Sequence, residues 1–163
     1  MNYLLVGRPN VGKSSIFNIL TGSKKNIIHK EEGTTRDWHK GEIRLLNNHY
    51  IYDAPGIFLH SFKYGEKKLN KIIESIISQI DCFLFVIDFH SNHNYQDQEI
   101  LKWLRSFNKE IILLINKFDN YNQIPNNDFF KYGIKSYFFL SCSHNYGFNV
   151  LNNFLKDKEY TKI

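Results

Sequence analysis

Gly7-Arg8-Pro9-Asn10-Val11-Gly12-Lys13-Ser14 is the stretch of this chain that decides the fold. It matches the pattern GxxxxGK[ST], and it stands between a short apolar run at residues 3–6 and a helical pattern at residues 14–20. A strand, a glycine-rich loop and a helix in this order build a phosphate-binding loop, because backbone N–H groups and the helix amino terminus surround the phosphate. The stretch therefore predicts a P-loop α/β domain that binds a nucleotide.

The residues of this loop have separate predicted roles. Lys13 supplies a positive charge to the β- and γ-phosphates, and the hydroxyl of Ser14 is a predicted ligand of Mg²⁺. The other residues predicted to bind the nucleotide here are Asn10, Val11, Gly12 and Ser15.

The stretch Asn116-Lys117-Phe118-Asp119 indicates which base the bound nucleotide has. This NKxD pattern closes the apolar run of residues 111–115, so we expect it at the carboxyl end of a buried strand, where open α/β sheets bind ligands. The Asp119 carboxylate can accept two hydrogen bonds from the N1–H and N2–H₂ groups of guanine, whereas adenine has no such pair of donors. The motif therefore predicts a guanine nucleotide.

Two further segments complete the predicted phosphate site. Asp53-Ala54-Pro55-Gly56 follows an apparent strand, which puts Asp53 near Mg²⁺ and lets the N–H of Gly56 meet the γ-phosphate. The long polar segment at residues 23–38 is expected to be a loop, in which Thr35 offers a hydroxyl to Mg²⁺ and an N–H to the γ-phosphate. Lys13, Thr35 and Gly56 are the predicted catalytic residues.

A last loop is expected next to the base. Ser141, Cys142 and Ser143 follow the final predicted strand, and their backbone N–H groups are expected to reach guanine O6. The interpretation favoured for Cys142 is a small packing residue rather than a reactive thiol.

Strand and helix patterns alternate along the chain, which indicates a mostly parallel sheet with helices on both faces. A hairpin at residues 42–46 and 49–53 adds one antiparallel edge strand, for six strands in all. Residues 1–156 are expected to form one domain, and residues 157–163 a charged tail that frays or begins a linker.

Composition sets limits on the class of protein. The chain has 163 residues, 42% of them apolar, and no apolar run approaches the roughly 20 residues that a membrane span needs. Two cysteines without partner spacing indicate a reduced, cytoplasmic protein. The net charge of +5 leaves two interpretations open, a surface that faces a polyanion or a lysine-rich surface without a partner, because 17 of the 21 basic residues are lysine.

Together these motifs resemble the TrmE–Era–EngA group of bacterial GTPases. The sequences GRPNVGKSS at residues 7–15 and GTTRD at residues 33–37 are the forms of the P-loop and switch-loop motifs that are particular to that group. The chain looks most like the first GTPase domain of the EngA (Der) family. Gly41-Glu42, Trp103-Leu104-Arg105 and the FFKYG stretch at residues 129–133 favour that choice. In one departure, Asp53-Ala54-Pro55-Gly56 stands where that domain usually reads D-[TS]-G-G.

The resemblance implies a Ras-like G domain that hydrolyses GTP with Mg²⁺, acts as a monomer, and has ribosomal RNA and the large ribosomal subunit as partners. Small signalling GTPases have a glutamine after the DxxG motif, where this chain has Ile57. Family members without the glutamine use K⁺, held by the residue that matches Asn10. The alternatives are a GTP-binding module that does not hydrolyse and a related Era- or TrmE-type GTPase acting on RNA.

The resemblance also concerns the length of the chain. EngA proteins have a second GTPase domain and a KH-like domain, which 163 residues do not accommodate. We therefore expect an excised amino-terminal domain, with a natural single-domain relative as the alternative.

Overall fold

A computed structural model of the chain describes residues 1–22, 27–30, 37–54, 74–91, 94–123 and 127–161. Helices lie at α1 (Lys13–Thr21), α2 (Tyr95–Arg105) and α3 (Phe148–Thr161), and a 3₁₀ helix at Asn127–Tyr132; residues 74–79 are helical as well. The strands in these ranges are β1 (Asn2–Gly7), β2 (Ile27–Lys30), β3 (Asp37–Glu42), β4 (Tyr50–Asp53), β5 (Cys82–Asp88), β6 (Glu110–Asn116) and β7 (Ser136–Phe139).

All of these strands form one sheet in the order β2-β3-β4-β1-β5-β6-β7. The five strands from β4 to β7 in this order are parallel, whereas β3 is antiparallel to both β4 and β2. The predicted α/β fold with a mostly parallel sheet is confirmed. The sheet has seven strands instead of the predicted six, because Ile27–Lys30, in the segment expected to be a loop, pairs with β3 and forms the edge.

The antiparallel hairpin is present, but its first strand lies earlier than predicted. Residues 42–46 were expected to form that strand, whereas β3 ends at Glu42. The backbone explains the difference, since the N–H of Arg44 donates to the carbonyl of Leu20 in α1 at 2.8 Å and Leu45 has a φ of 72°. The chain after β3 therefore turns toward α1 and does not continue the ladder.

The two central strands are buried on both faces, as their apolar runs predict. On β5, Phe83, Phe85 and Ile87 pack into one core, beside α2 and residues 76–80. The alternating residues Leu84 and Val86 pack into the other core, which α1 and α3 cover. The sheet thus has helices on both faces.

The last helix includes most of the segment at residues 157–163 that the sequence predicts to fray or to begin a linker. α3 continues to Thr161, and Lys158 pairs with Glu110 at the start of β6. The side chain of Lys158 is only 14% exposed, so this ion pair fixes the last turns of the helix to the sheet.

In the described ranges, no helix has the length and apolar character to cross a membrane.

Substitution of Phe85 tests the two-sided core. Phe85 is fully buried in the central strand, so Phe85→Ala removes a large apolar side chain and leaves a cavity. We expect the free energy of unfolding, measured in urea, to fall by about 3–5 kcal/mol. Val150→Ala is the control, because Val150 is 64% exposed on α3 and should change stability by less than about 0.5 kcal/mol. Equal effects of the two substitutions would contradict this description of the core.

Candidate functional site

The parallel strands end at one edge of the sheet, and the predicted site residues gather there. β1 ends at Gly7 and leads into the phosphate loop, and β4 ends at Asp53. β6 ends at Asn116, directly before the rest of the NKxD motif. Topology therefore brings together segments that lie more than 100 residues apart in sequence, as in the contact between Asn116 and Val11.

Gly12 allows the phosphate loop to approach the base-binding segment. Its φ is 96°, a conformation that favours glycine, and a Cβ on Gly12 would lie 2.3 Å from Nδ2 of Asn116. The Asn116 side chain is buried, and its Nδ2 donates a hydrogen bond of 2.8 Å to the carbonyl of Val11. Any side chain at Gly12 would break this contact.

Lys117 makes a second connection between the two segments. Its Nζ donates to the carbonyl of Asn10 at 2.7 Å and lies 3.1 Å from Oδ2 of Asp88, at the end of β5. The lysine stem therefore crosses from the end of β6 to the phosphate loop. It forms one wall of the space between them.

The amine of Lys13 lies inside the curve of the phosphate loop. Nζ donates hydrogen bonds of 2.8 Å to the carbonyls of both Gly7 and Arg8. Burial lowers the pKa of Lys13, and the nearby Asp53 carboxylate opposes that shift. The loop thus holds a positive charge at the place where the sequence predicts the phosphates.

Asp53 is the buried acid of the site. Its side chain is 3% exposed, and burial raises its pKa against the opposing effects of Lys13, His39 and the hydroxyl of Ser14. Among the described residues, no group donates a hydrogen bond to its buried Oδ1. A partly desolvated carboxylate oxygen beside a hydroxyl suits a hard cation such as Mg²⁺, so Asp53 and Ser14 fit the predicted metal.

Asp119 is exposed at the opposite end of the site. The hydroxyls of Ser141 and Ser143 both donate to its Oδ1, the latter at 3.0 Å. The hydrogen bond from Ser141 is the main reason that the pKa of Asp119 is lowered. The two serines therefore keep the carboxylate ionised and oriented.

Cys142 packs beside this carboxylate. Its Sγ lies 3.5 Å from Oδ1 of Asn116, and burial raises the pKa of the thiol to about 11. A thiol with this pKa is not a nucleophile at neutral pH, which agrees with the predicted packing role.

A cleft of about 570 Å³ extends from Gly12 and Ser15 to the Asp119 carboxylate. This volume lies within the range typical of small-molecule sites. The residues that line the cleft come from the phosphate loop, α1 and the two base-side loops: Gly12, Ser15, Asn18, Ile19, Asn116, Lys117, Asp119, Cys142 and Ser143.

Thr35 and Gly56, two of the predicted catalytic residues, lie outside the described residues, as does Ile57. Sequence reasoning missed two residues that contact the site. Asp88 pairs with Lys117, and Asp97 pairs with Arg8 of the phosphate loop. Asp88 had a usable signal, because it ends an apolar run at the carboxyl edge of the sheet, whereas nothing in the sequence pattern pairs Arg8 with Asp97.

Comparison with known proteins agrees with this geometry. The model of the 50S ribosome-binding GTPase family matches residues 2–117, which is most of the chain. The chain belongs to this family. GTPase Der of Stenotrophomonas maltophilia is 34% identical over 149 residues, which cover 90% of this chain and 32% of that protein. The chain spans about a third of the length of the curated relatives that it matches.

Solved structures confirm the G-domain fold. The G domain of the T. maritima FeoB iron transporter is 28% identical with a TM-score of 0.70, over 99% of this chain and 98% of that one. An Aquifex aeolicus Era variant bound to GDP and AlF4⁻ is 27% identical with a TM-score of 0.71, over 96% of this chain and 56% of that one. The identity with GTPase Der confirms the resemblance to the EngA (Der) family that the motifs indicated.

The orientation of Asp119 can be tested by its titration. We expect the pKa of Asp119, measured by carboxyl NMR, to be below its ordinary value and to rise in Ser141→Ala, because the main hydrogen bond to the ionised form is removed. Ser143→Ala is the matched control and should raise this pKa less. Since the folded state has the lower pKa, the carboxylate favours folding above the unfolded pKa, and this contribution disappears as the pH falls through the folded value. An unchanged pKa in Ser141→Ala would contradict the arrangement.

Proposed function

We propose that this chain binds GTP and hydrolyses it to GDP and phosphate, with Mg²⁺ and K⁺ as cofactors. The observation that carries the proposal is the cleft that runs from Gly12 and Ser15, at the phosphate loop, to the Asp119 carboxylate. A nucleoside triphosphate needs a cationic site rich in N–H groups at one end and a reader of the base at the other. The family match and the similarity to GTPase Der support the same substrate.

At the base end, Asp119 selects guanine by accepting hydrogen bonds from N1–H and N2–H₂. Ser141 and Ser143 hold the carboxylate for this contact. The stem of Lys117 lies along the purine. The backbone N–H groups of Cys142 and Ser143 reach O6 in this proposal, whereas that of Ser141, which the sequence also predicted there, donates to the carbonyl of Tyr146 at 3.1 Å. This set of contacts disfavours adenine, which has no donor pair on that edge.

At the phosphate end, Lys13 neutralises charge on the β- and γ-phosphates. Mg²⁺, when bound, would stabilise the negative charge that develops on the phosphates. Ser14 and Asp53 supply ligands to it, and Thr35 is the further ligand that we propose. The N–H of Gly56 contacts the γ-phosphate in this proposal, so its segment responds to hydrolysis.

Asn10 is the proposed ligand of K⁺. Its side chain is exposed on the phosphate loop, and its backbone is held by Lys117 through the bond of 2.7 Å to its carbonyl. An amide oxygen is a neutral donor that suits a monovalent cation. By resemblance to family members that lack the glutamine, as this chain does at Ile57, K⁺ here would neutralise charge that develops between the β- and γ-phosphates.

The family description, a 50S ribosome-binding GTPase, supports the large ribosomal subunit as a partner. Ribosomal RNA as part of that contact and a cytoplasmic monomer are further parts of our proposal. Structural similarity to Era keeps an RNA-associated role of the Era type as the related alternative. A different class of function, a GTP-binding module that does not hydrolyse, is favoured by Ile57 alone.

Asp119→Asn tests base selection. An asparagine cannot accept both guanine hydrogen bonds, so we expect GDP affinity to fall roughly 10- to 100-fold, while xanthosine diphosphate binds better than in the wild type. The measurement is competition against a fluorescent GDP analogue. Asp128→Asn removes a carboxylate outside the cleft and is the control. GDP affinity and selectivity that remain unchanged in Asp119→Asn would refute the assigned role.

Phosphate release in KCl and in NaCl, at matched ionic strength, tests hydrolysis and the Asn10 assignment. We expect turnover in KCl to exceed that in NaCl and this difference to disappear in Asn10→Gly. Glycine keeps the φ of 67° without strain, so the amide is removed while the loop is retained.

Asn108→Gly is the matched control, because Asn108 also has a positive φ, of 53°, and lies at the opposite edge of the sheet. Turnover that is equal in the two salts would exclude the proposed K⁺ role. Nucleotide binding without turnover in either salt would favour the module that does not hydrolyse.

A further inference from the structure

Arg8 and Asp97 form a buried ion pair behind the phosphate loop. Nε of Arg8 donates to Oδ1 of Asp97 at 2.7 Å, and the side chains are 15% and 0% exposed. The two residues are 89 positions apart in sequence, so the pair joins the loop after β1 to the first turn of α2.

The pair belongs to a larger buried polar cluster. Tyr132, at the end of the 3₁₀ helix, interacts electrostatically with both Asp97 and Arg8, and its pKa is raised to about 12, mainly by burial. Among the described residues, three buried atoms of this cluster have no hydrogen-bond partner: Nη2 of Arg8, Oδ2 of Asp97 and the hydroxyl of Tyr132. Such incomplete pairing weakens the case for a purely stabilising role, because a half-satisfied buried network is worse for stability than apolar packing.

Arg8 also contacts Lys13, through its main chain. The carbonyl of Arg8 accepts one of the two hydrogen bonds of 2.8 Å that hold Nζ of Lys13. The side chain of the same residue is held by Asp97, at the amino terminus of α2, where the helix dipole favours a negative charge. Arg8 thus connects α2, through its side chain, to the amine of Lys13, through its main-chain carbonyl.

We propose that Asp97 is a positioning residue for phosphate binding, which holds Arg8 so that the Arg8 carbonyl places the Lys13 amine opposite the β-phosphate. This inference rests on the proposed nucleotide binding. It predicts that loss of Asp97 weakens ligands with a β-phosphate far more than ligands without one.

Asp97→Asn is the first test, with affinities for GDP and GMP measured by competition against a fluorescent GDP analogue. We expect at least a tenfold loss of GDP affinity and less than a twofold change for GMP, because GMP has no β-phosphate for Lys13 to contact. Glu99→Gln neutralises a carboxylate on the same helix and should leave both affinities unchanged. A parallel loss of both ligands, or no loss of either, would overturn the proposal.

A second variant separates positioning from folding. Arg8→Met combined with Asp97→Leu replaces the pair by apolar side chains, a change that is often neutral or stabilising in a buried site. We expect the melting temperature to remain near that of the wild type. The ratio of GDP affinity to GMP affinity should remain as far below the wild-type ratio as it is in Asp97→Asn. Return of that ratio to the wild-type value would overturn the proposal. Failure of every variant to fold would also overturn it, since the pair would then determine folding only. Failure of the wild type itself to bind GDP would instead refute the proposed function.

Discussion

The hydrogen bond from the Asn116 amide to the carbonyl of Val11 is the contact on which both ends of the site depend. β1 and β6 are not neighbours, because β5 lies between them, so their ends are roughly 10 Å apart at the usual strand spacing. A side chain from one segment must therefore reach the backbone of the other. This requirement explains why the residue after Val11 is a glycine with a φ of 96°, since a Cβ there would occupy the place of the amide. The distance between the phosphate and base ends is set by the sheet and held by this bond.

Burial of charge around the phosphate loop carries an energetic cost that a ligand can relieve. Burial lowers the pKa of Lys13 and raises that of Asp53, so each shift disfavours the ionised form at neutral pH. Burial also disfavours the ionised form of Asp97, because it raises the pKa of this carboxyl against the opposing effect of Arg8. In the proposed function, phosphate oxygens and a divalent cation supply the charges that complement Lys13 and Asp53. A site with these shifts is therefore organised for binding more than for the stability of the free domain.

The sequence pattern predicted the centre of the sheet well and its edges less well. Apolar runs identify β5 and β6 because both faces of these strands are covered, and motif context identifies the loops that follow β1 and β6. In contrast, β2 and the polar β3 exist because each pairs with a neighbour, and a ladder at an edge leaves little trace in hydrophobic periodicity. The same limit applies to the pair of Arg8 and Asp97, because an ion pair across 89 residues depends on how α2 docks and not on spacing.

The contrast between Ile57 and the charges of the site bears on how hydrolysis would proceed. Phosphoryl transfer needs little covalent chemistry from the protein and depends mainly on positioning and on stabilisation of developing charge. On the proposed function, the described residues contribute that stabilisation through Lys13, whose amine two loop carbonyls hold at 2.8 Å, and through the cation ligands Asp53 and Ser14. A site of this kind requires no side chain to act as a general base. On the proposed function, Ile57 contributes nothing to the orientation of the attacking water, so the rate enhancement that the described residues supply comes from the positive charge that they place around the phosphates.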